Sequence, residues 1–131
     1  MRKGPIDLRI SDMLGRNVSG KAGMGSFIST DWVLRVHDRV LTQLQYVVVQ
    51  QFRRGEAFLL SWLDGEGGDA VERSLWLSPA VPVGFEFDSA DTMPLELAWV
   101  TALASAAGSA EGLRIVDADG RPLTVPTEMR H

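Results

Sequence analysis

An α+β fold is what the sequence predicts: one two-layer domain, in the order ββαβββαβ, with two helices on one face of a mostly antiparallel sheet. Three observations point there. Apolar residues recur at three- and four-residue spacing in only two stretches, Val40–Phe52 and Leu95–Ala106. Between and around these stretches lie short segments that alternate apolar and polar residues and are bounded by Gly, Pro or Asp. The chain has 131 residues, 45% of them hydrophobic, and no internal repeat, which suits one core of ordinary size. A mostly antiparallel sheet carrying both helices buries both stripes economically.

In chain order, residues 1–23 read as a flexible basic extension, because Gly4, Pro5, Gly15, Gly20 and Gly23 break any period. Met24-Gly25 reads as a fresh start, followed by a short strand at Phe27 and Ile28. Trp32, Leu34 and Val36 mark a second strand. Asp38 is a suitable N-cap for the first helix, whose stripe is Val40, Leu41, Leu44, Val47, Val48 and Phe52. Val47–Val49 is a poor helix-forming triplet, so packing has to sustain that helix. Arg53 and Arg54 suit its negative end, and Gly55 suits a left-handed position just beyond it.

Phe58, Leu60 and Trp62 mark one face of a third strand. Asp64–Asp69 reads as a Gly/acid loop, Ser74–Leu77 as a fourth strand, and Val83, Phe85 and Phe87 as a fifth. The second helix is expected to open near Pro94, to bury Leu95, Trp99, Ala102, Leu103 and Ala106, and to end at Gly108. Leu113, Ile115 and Val116 make a last strand. The domain thus spans 24–117, and Asp119-Gly120 is a candidate hairpin turn in a hairpin-like or flexible tail, 118–131.

Composition narrows the chemistry. The chain has no cysteine, which excludes disulfides, thiolate catalysis and thiolate metal sites, and its two histidines, His37 and His131, are too few for a His-rich zinc site. No apolar run reaches the length of a membrane span and no signal-peptide pattern opens the chain, so the cytoplasm is the default compartment. The net charge of −4 divides into +3 over residues 1–23 and −7 over the rest. An acidic body is a poor partner for a phosphate backbone. Arginine outnumbers lysine eleven to two, which favours planar, bidentate contacts wherever charge is used.

The residues with most chemical content are Arg53-Arg54-Gly55-Glu56, at a helix-to-strand corner. Two guanidinium groups there could bind a phosphate or a carboxylate, with Arg35, Arg39 and Arg73 as further contributors. The competing reading is a helix C-cap with a surface ion pair to Glu56, and it accounts for every residue of the corner. Trp62, Trp76 and Trp99 lie in periodic apolar segments and are expected in the core; Trp32 is the least constrained. Asp64, Glu66 and Asp69 lack the ligand order of a calcium loop. The nearby glycines are not followed by the Gly-Lys-Ser/Thr of a phosphate cradle. His37 reads as a strand-end residue at the start of the helix, and no catalytic triad, metal cluster or cofactor fingerprint is legible.

Taken together, residues 24–117 resemble a small actinobacterial domain of unknown function. The motifs that carry the resemblance are Asp38-Arg39-Val40-Leu41, Phe52-Arg53-Arg54-Gly55-Glu56-Ala57-Phe58, Ser61-Trp62, Arg73-Ser74-Leu75-Trp76-Leu77, Pro79-Ala80-Val81-Pro82-Val83, Trp99 and Gly112-Leu113-Arg114-Ile115. Such domains are commonly labelled ATP-dependent DNA ligase because they also occur attached to ligases. Ligation itself needs a lysine nucleophile in a Lys-x-Asp-Gly context, and the only lysines, Lys3 and Lys21, lack it. The resemblance therefore implies ligase association without ligation. The function expected is a non-catalytic accessory or interaction module, without cofactor or metal, whose partner is a ligase or other DNA-processing protein. The alternatives are weak nucleic-acid binding through an arginine face and a small-ligand-binding or uncharacterised enzyme domain.

Overall fold

The structure, a computed structural model, describes residues 23–65 and 67–130. Residues 1–22 of the expected basic extension, Glu66 and His131 lie outside them. The fold is α+β, and its strands divide between two sheets instead of forming one.

The first sheet begins with β1 (Met24–Ile28) and β2 (Trp32–His37), an antiparallel hairpin in register from Met24 opposite His37 to Ile28 opposite Val33. Helix α1 (Asp38–Arg53) follows without a loop. Its buried apolar residues are Val40, Leu41, Leu44, Val47 and Val48, so tertiary packing overrides the weak helix preference of the valines. The second sheet is built on β3 (Phe58–Asp64), which pairs antiparallel with β4 (Val71–Leu77). The chain then returns to the first sheet as β5 (Gly84–Glu86), beside β1. After helix α2 (Leu97–Ala107), β6 (Leu113–Arg114) lies parallel to β3. One core serves both sheets: Phe27, Leu34 and Val36 from the first, Phe58, Leu60, Trp62, Leu77 and Leu113 from the second, and the inner faces of both helices.

Two expectations about the helices are corrected. Asp38 is not the N-cap; His37 holds that position without a side-chain cap. The Asp38 carboxylate is buried and accepts the backbone N–H groups of Asp88 and Ser89, each at 3.0 Å, tying the segment after β5 to the start of α1. The second helix begins at Leu97 rather than near Pro94. The buried Gln43 amide holds that approach extended: its Nε2 donates to the Pro94 carbonyl at 3.0 Å, and its Oε1 accepts the Glu96 N–H at 2.9 Å. Consequently the buried face is Trp99, Val100, Leu103 and Ala107, while Leu95 and Ala102 are exposed and Ala106 is half-buried.

The tail adds a strand that the sequence reading did not place. Asp117 and Gly120 close a turn (Gly120 N–H to Asp117 carbonyl, 2.9 Å), and Val116 pairs with Pro122 across it, as the Asp119-Gly120 signal suggests. Val125 then donates to the Leu63 carbonyl of β3 at 2.7 Å, and the Pro126 carbonyl accepts the Arg35 N–H of β2 at 2.8 Å. β7 (Thr127–Met129) follows, antiparallel to β2, so the sheet orders are β5-β1-β2-β7 and β4-β3-β6.

The Asp117 carboxyl is held below the usual carboxylate range, first by the Arg121 N–H and then, against some desolvation, by the Asp119 N–H, the Arg121 charge and the Gly120 N–H. A depressed carboxyl contributes stability that is complete above its unfolded pKa and is lost as the pH falls through the folded one. Asp117→Asn is therefore expected to lower the melting temperature at neutral pH and to narrow the gap from the parent protein in acid. A constant gap across an acid titration of the melting temperature would contradict this role for the carboxylate.

Candidate interaction surface

At the Arg53–Glu56 corner the end of α1 forms a Schellman motif. Gly55, at φ 72°, donates to the Phe52 carbonyl at 2.9 Å, and Glu56 donates to the Gln51 carbonyl at 3.0 Å. Both arginine side chains are exposed. Arg54 Nη2 bonds to Gln51 Oε1 and lies 3.8 Å from Glu56 Oε1. The corner is a helix terminus first, and it leaves the Arg53 and Arg54 guanidinium groups at the surface.

The remaining arginines do not join it. Arg39 lies in the first turn of α1, about 20 Å from Arg53 at 1.5 Å of rise per residue. It grips Glu96 through two bonds of 2.6 and 2.7 Å and lies 5.2 Å from the centroid of the Trp99 ring. This hydrogen-bonded pairing raises the Arg39 pKa and lowers that of Glu96. Arg73 pairs with Asp64 at 2.8 Å and covers the half-buried Trp32, 5.1 Å from its ring centroid. Arg35 is half-buried on β2, and its Nε is enclosed without a hydrogen-bond partner.

Trp76 corrects another expectation. Trp62 and Trp99 are buried, with indole N–H groups satisfied by Thr127 Oγ1 at 2.8 Å and the Val116 carbonyl at 3.1 Å, but Trp76 is 67% exposed. The alternation along β4 turns Leu75 and Leu77 toward the core and Trp76 away from it, on an outer strand of its sheet.

The site that the sequence reading missed lies between the helices. They run side by side in the same direction: Gln43 near the start of α1 holds Glu96, and Gln51 near its end lines a cleft with Ala107. A groove of about 560 Å³ opens between them. Its floor is Val47 and Val100, its α1 wall is Tyr46, Gln50 and Arg54, and its α2 wall is Leu97, Thr101 and Ala104. Leu97 is 81% exposed, Leu95 49% and Tyr46 42%. The available signal was the absence of any charged residue from Leu97 to Ala107. A helix without a polar outer face is suited to burial on more than one side. Buried Gln43, bonded to Pro94 and Glu96, sets how α1 meets the chain that leads into α2.

No group of metal-binding side chains is assembled among the described residues, and none of their helices is long and apolar enough to cross a membrane. No curated protein and no solved structure matches the chain. A family profile matches residues 24–118, most of the chain, and the protein belongs to that family, described as "Domain of unknown function (DUF7882)".

Proposed function

We propose that the protein is a non-catalytic interaction module that docks a protein partner in the α1–α2 groove. The observation that carries this reading is the cluster of Leu97, Leu95 and Tyr46, large apolar side chains exposed side by side over an apolar floor. Contiguous exposed apolar surface of this kind marks binding sites more often than isolated exposed residues do. The arginines give less support to a nucleic-acid face, because Arg39, Arg54 and Arg73 stand apart and Arg39 and Arg73 are each hydrogen-bonded to an acid. The resemblance to domains attached to ligases in actinobacteria makes a DNA-processing enzyme the first partner class to test.

The test is affinity recovery from the native host with the parent protein and with Leu97→Asp as bait. Leu97 is so exposed that the substitution is expected to leave the fold intact, with a stability change within about 0.5 kcal/mol. A partner retained by the parent protein and lost from the variant is the expected result. Equal recovery by both baits refutes docking at the groove. Recovery that depends on nucleic acid and weakens steeply with salt favours the arginine-based alternative.

A further inference from the structure

Resting on that reading of the groove, we infer that its occupant is an amphipathic α-helix of the partner, with an aliphatic anchor at one end and a carboxylate about two turns away. Three features specify this chemistry.

The first is the backbone. Both walls of the groove are helices, whose N–H and C=O groups are satisfied within themselves away from the termini. An extended segment laid between them would find no hydrogen-bonding edge, whereas a helix brings its own bonds with it. The second is shape. Tyr46, Gln50 and Arg54 follow one line along α1 at four-residue spacing, and Leu97, Thr101 and Ala104 follow another along α2. Two such rows in the same direction form a trough that receives the ridge of a third helix, and Thr101 and Ala104 are small enough to admit it.

The third is the gradient of polarity along the trough. It begins at Tyr46 with Leu95 and Leu97, passes Gln50 and Thr101, and ends at Arg54. From Tyr46 to Arg54 is eight residues, about 12 Å along the axis at 1.5 Å per residue. A ligand helix that places a Leu, Ile or Met against Leu97 thus carries a Glu or Asp seven or eight positions away, within reach of a planar guanidinium. Arg54 is already 3.8 Å from Glu56, an exposed and loose pairing that an incoming carboxylate can replace.

The test is selection by the full chain from two displayed libraries, one of random segments held in a helical scaffold and one of random extended segments. Enrichment from the helical library, with an aliphatic residue and an acid seven or eight positions apart, is the expected result. Leu97→Asp is expected to weaken the selected helices at least about tenfold, the scale of an interface anchor. Arg54→Glu should do the same, and exchanging the ligand's acid for lysine should restore binding to that variant. Tyr46→Glu is a second variant at the apolar end, in case Arg54→Glu disturbs the helix terminus. Enrichment of extended segments, failure to select any helix, or binding lost on Trp76→Ala but not on Leu97→Asp overturns the inference. So does finding that Leu97→Asp abolishes self-association of the chain, which makes a second copy the occupant. Host recovery that depends on Leu97 while the selected ligands are extended sinks only the helix. Helical ligands together with recovery independent of Leu97 sink the functional reading instead.

Discussion

Trp62→Ala is expected to leave the domain largely unfolded under conditions where the parent protein is native. The indole is only 1% exposed, at the centre of the core. Removing a buried aromatic of this size costs about 3–5 kcal/mol in lost transfer energy and residual cavity. It also removes the donor that Thr127 Oγ1 accepts at 2.8 Å, and with it a link between β3 and β7. Small domains hold only about 5–15 kcal/mol in total, so this loss takes about a fifth of it at the least and all of it in a marginal domain. Urea denaturation followed by circular dichroism measures the effect. The control is Trp76→Ala, the same chemical change at an exposed site, expected to fall within about 0.5 kcal/mol of the parent. Equal midpoints for the two variants would mean that the core has been assigned to the wrong tryptophan.

Gly112→Ala is expected to be nearly as damaging, although it adds one methyl group. Gly112 has φ 83°, in the left-handed region, where a side chain costs about 1–2 kcal/mol. Its Cα also faces β3: an added Cβ would overlap the Leu59 carbonyl oxygen and come within 2.8 Å of the Leu59 Cβ. Relieving that contact means pushing β6 away from β3, against the parallel pairing of Leu60 with Leu113 and Ser61 with Arg114. Overpacking of this kind costs a further ~1–3 kcal/mol. The same denaturation experiment is the measure, and a midpoint unchanged from the parent protein would refute the close approach. Gly112 thus gives the Gly-Leu motif a mechanical reason: the glycine lets the next residue enter the sheet.

The order of elements was legible because both helices and the strands announce themselves by period. Val40, Leu41, Leu44, Val47 and Val48 could be read as one buried stripe despite their weak local preference. Gly55 could be placed in the left-handed position because its neighbours supply the rest of a helix terminus. The division into two sheets was not legible, since alternation reports which face of a strand is buried and says nothing of which strand lies beside it. The start of α2 was misread because Pro94 is a local signal, whereas Gln43 and Asp38 hold the preceding chain from fifty residues away. Trp76 was misread for a related reason: Arg73-Ser74-Leu75-Trp76-Leu77 is apolar on both faces at its end, and only the pairing with β3 decides which face is inward. The groove was half-legible, since an uncharged α2 can be read directly but its neighbour across the trough cannot.

Residues beyond 118, where the family profile ends, include the segment that bonds to β3 at Leu63 and to β2 at Arg35 and Leu34. Protein synthesis runs in the opposite order to that dependence. Every strand of the second sheet, both helices and three strands of the first are synthesised before Thr127–Met129. Until Thr127–Met129 has joined the sheet, Trp62 lacks its acceptor and the edge of β2 is open. During that interval the open edge is a template for any passing strand.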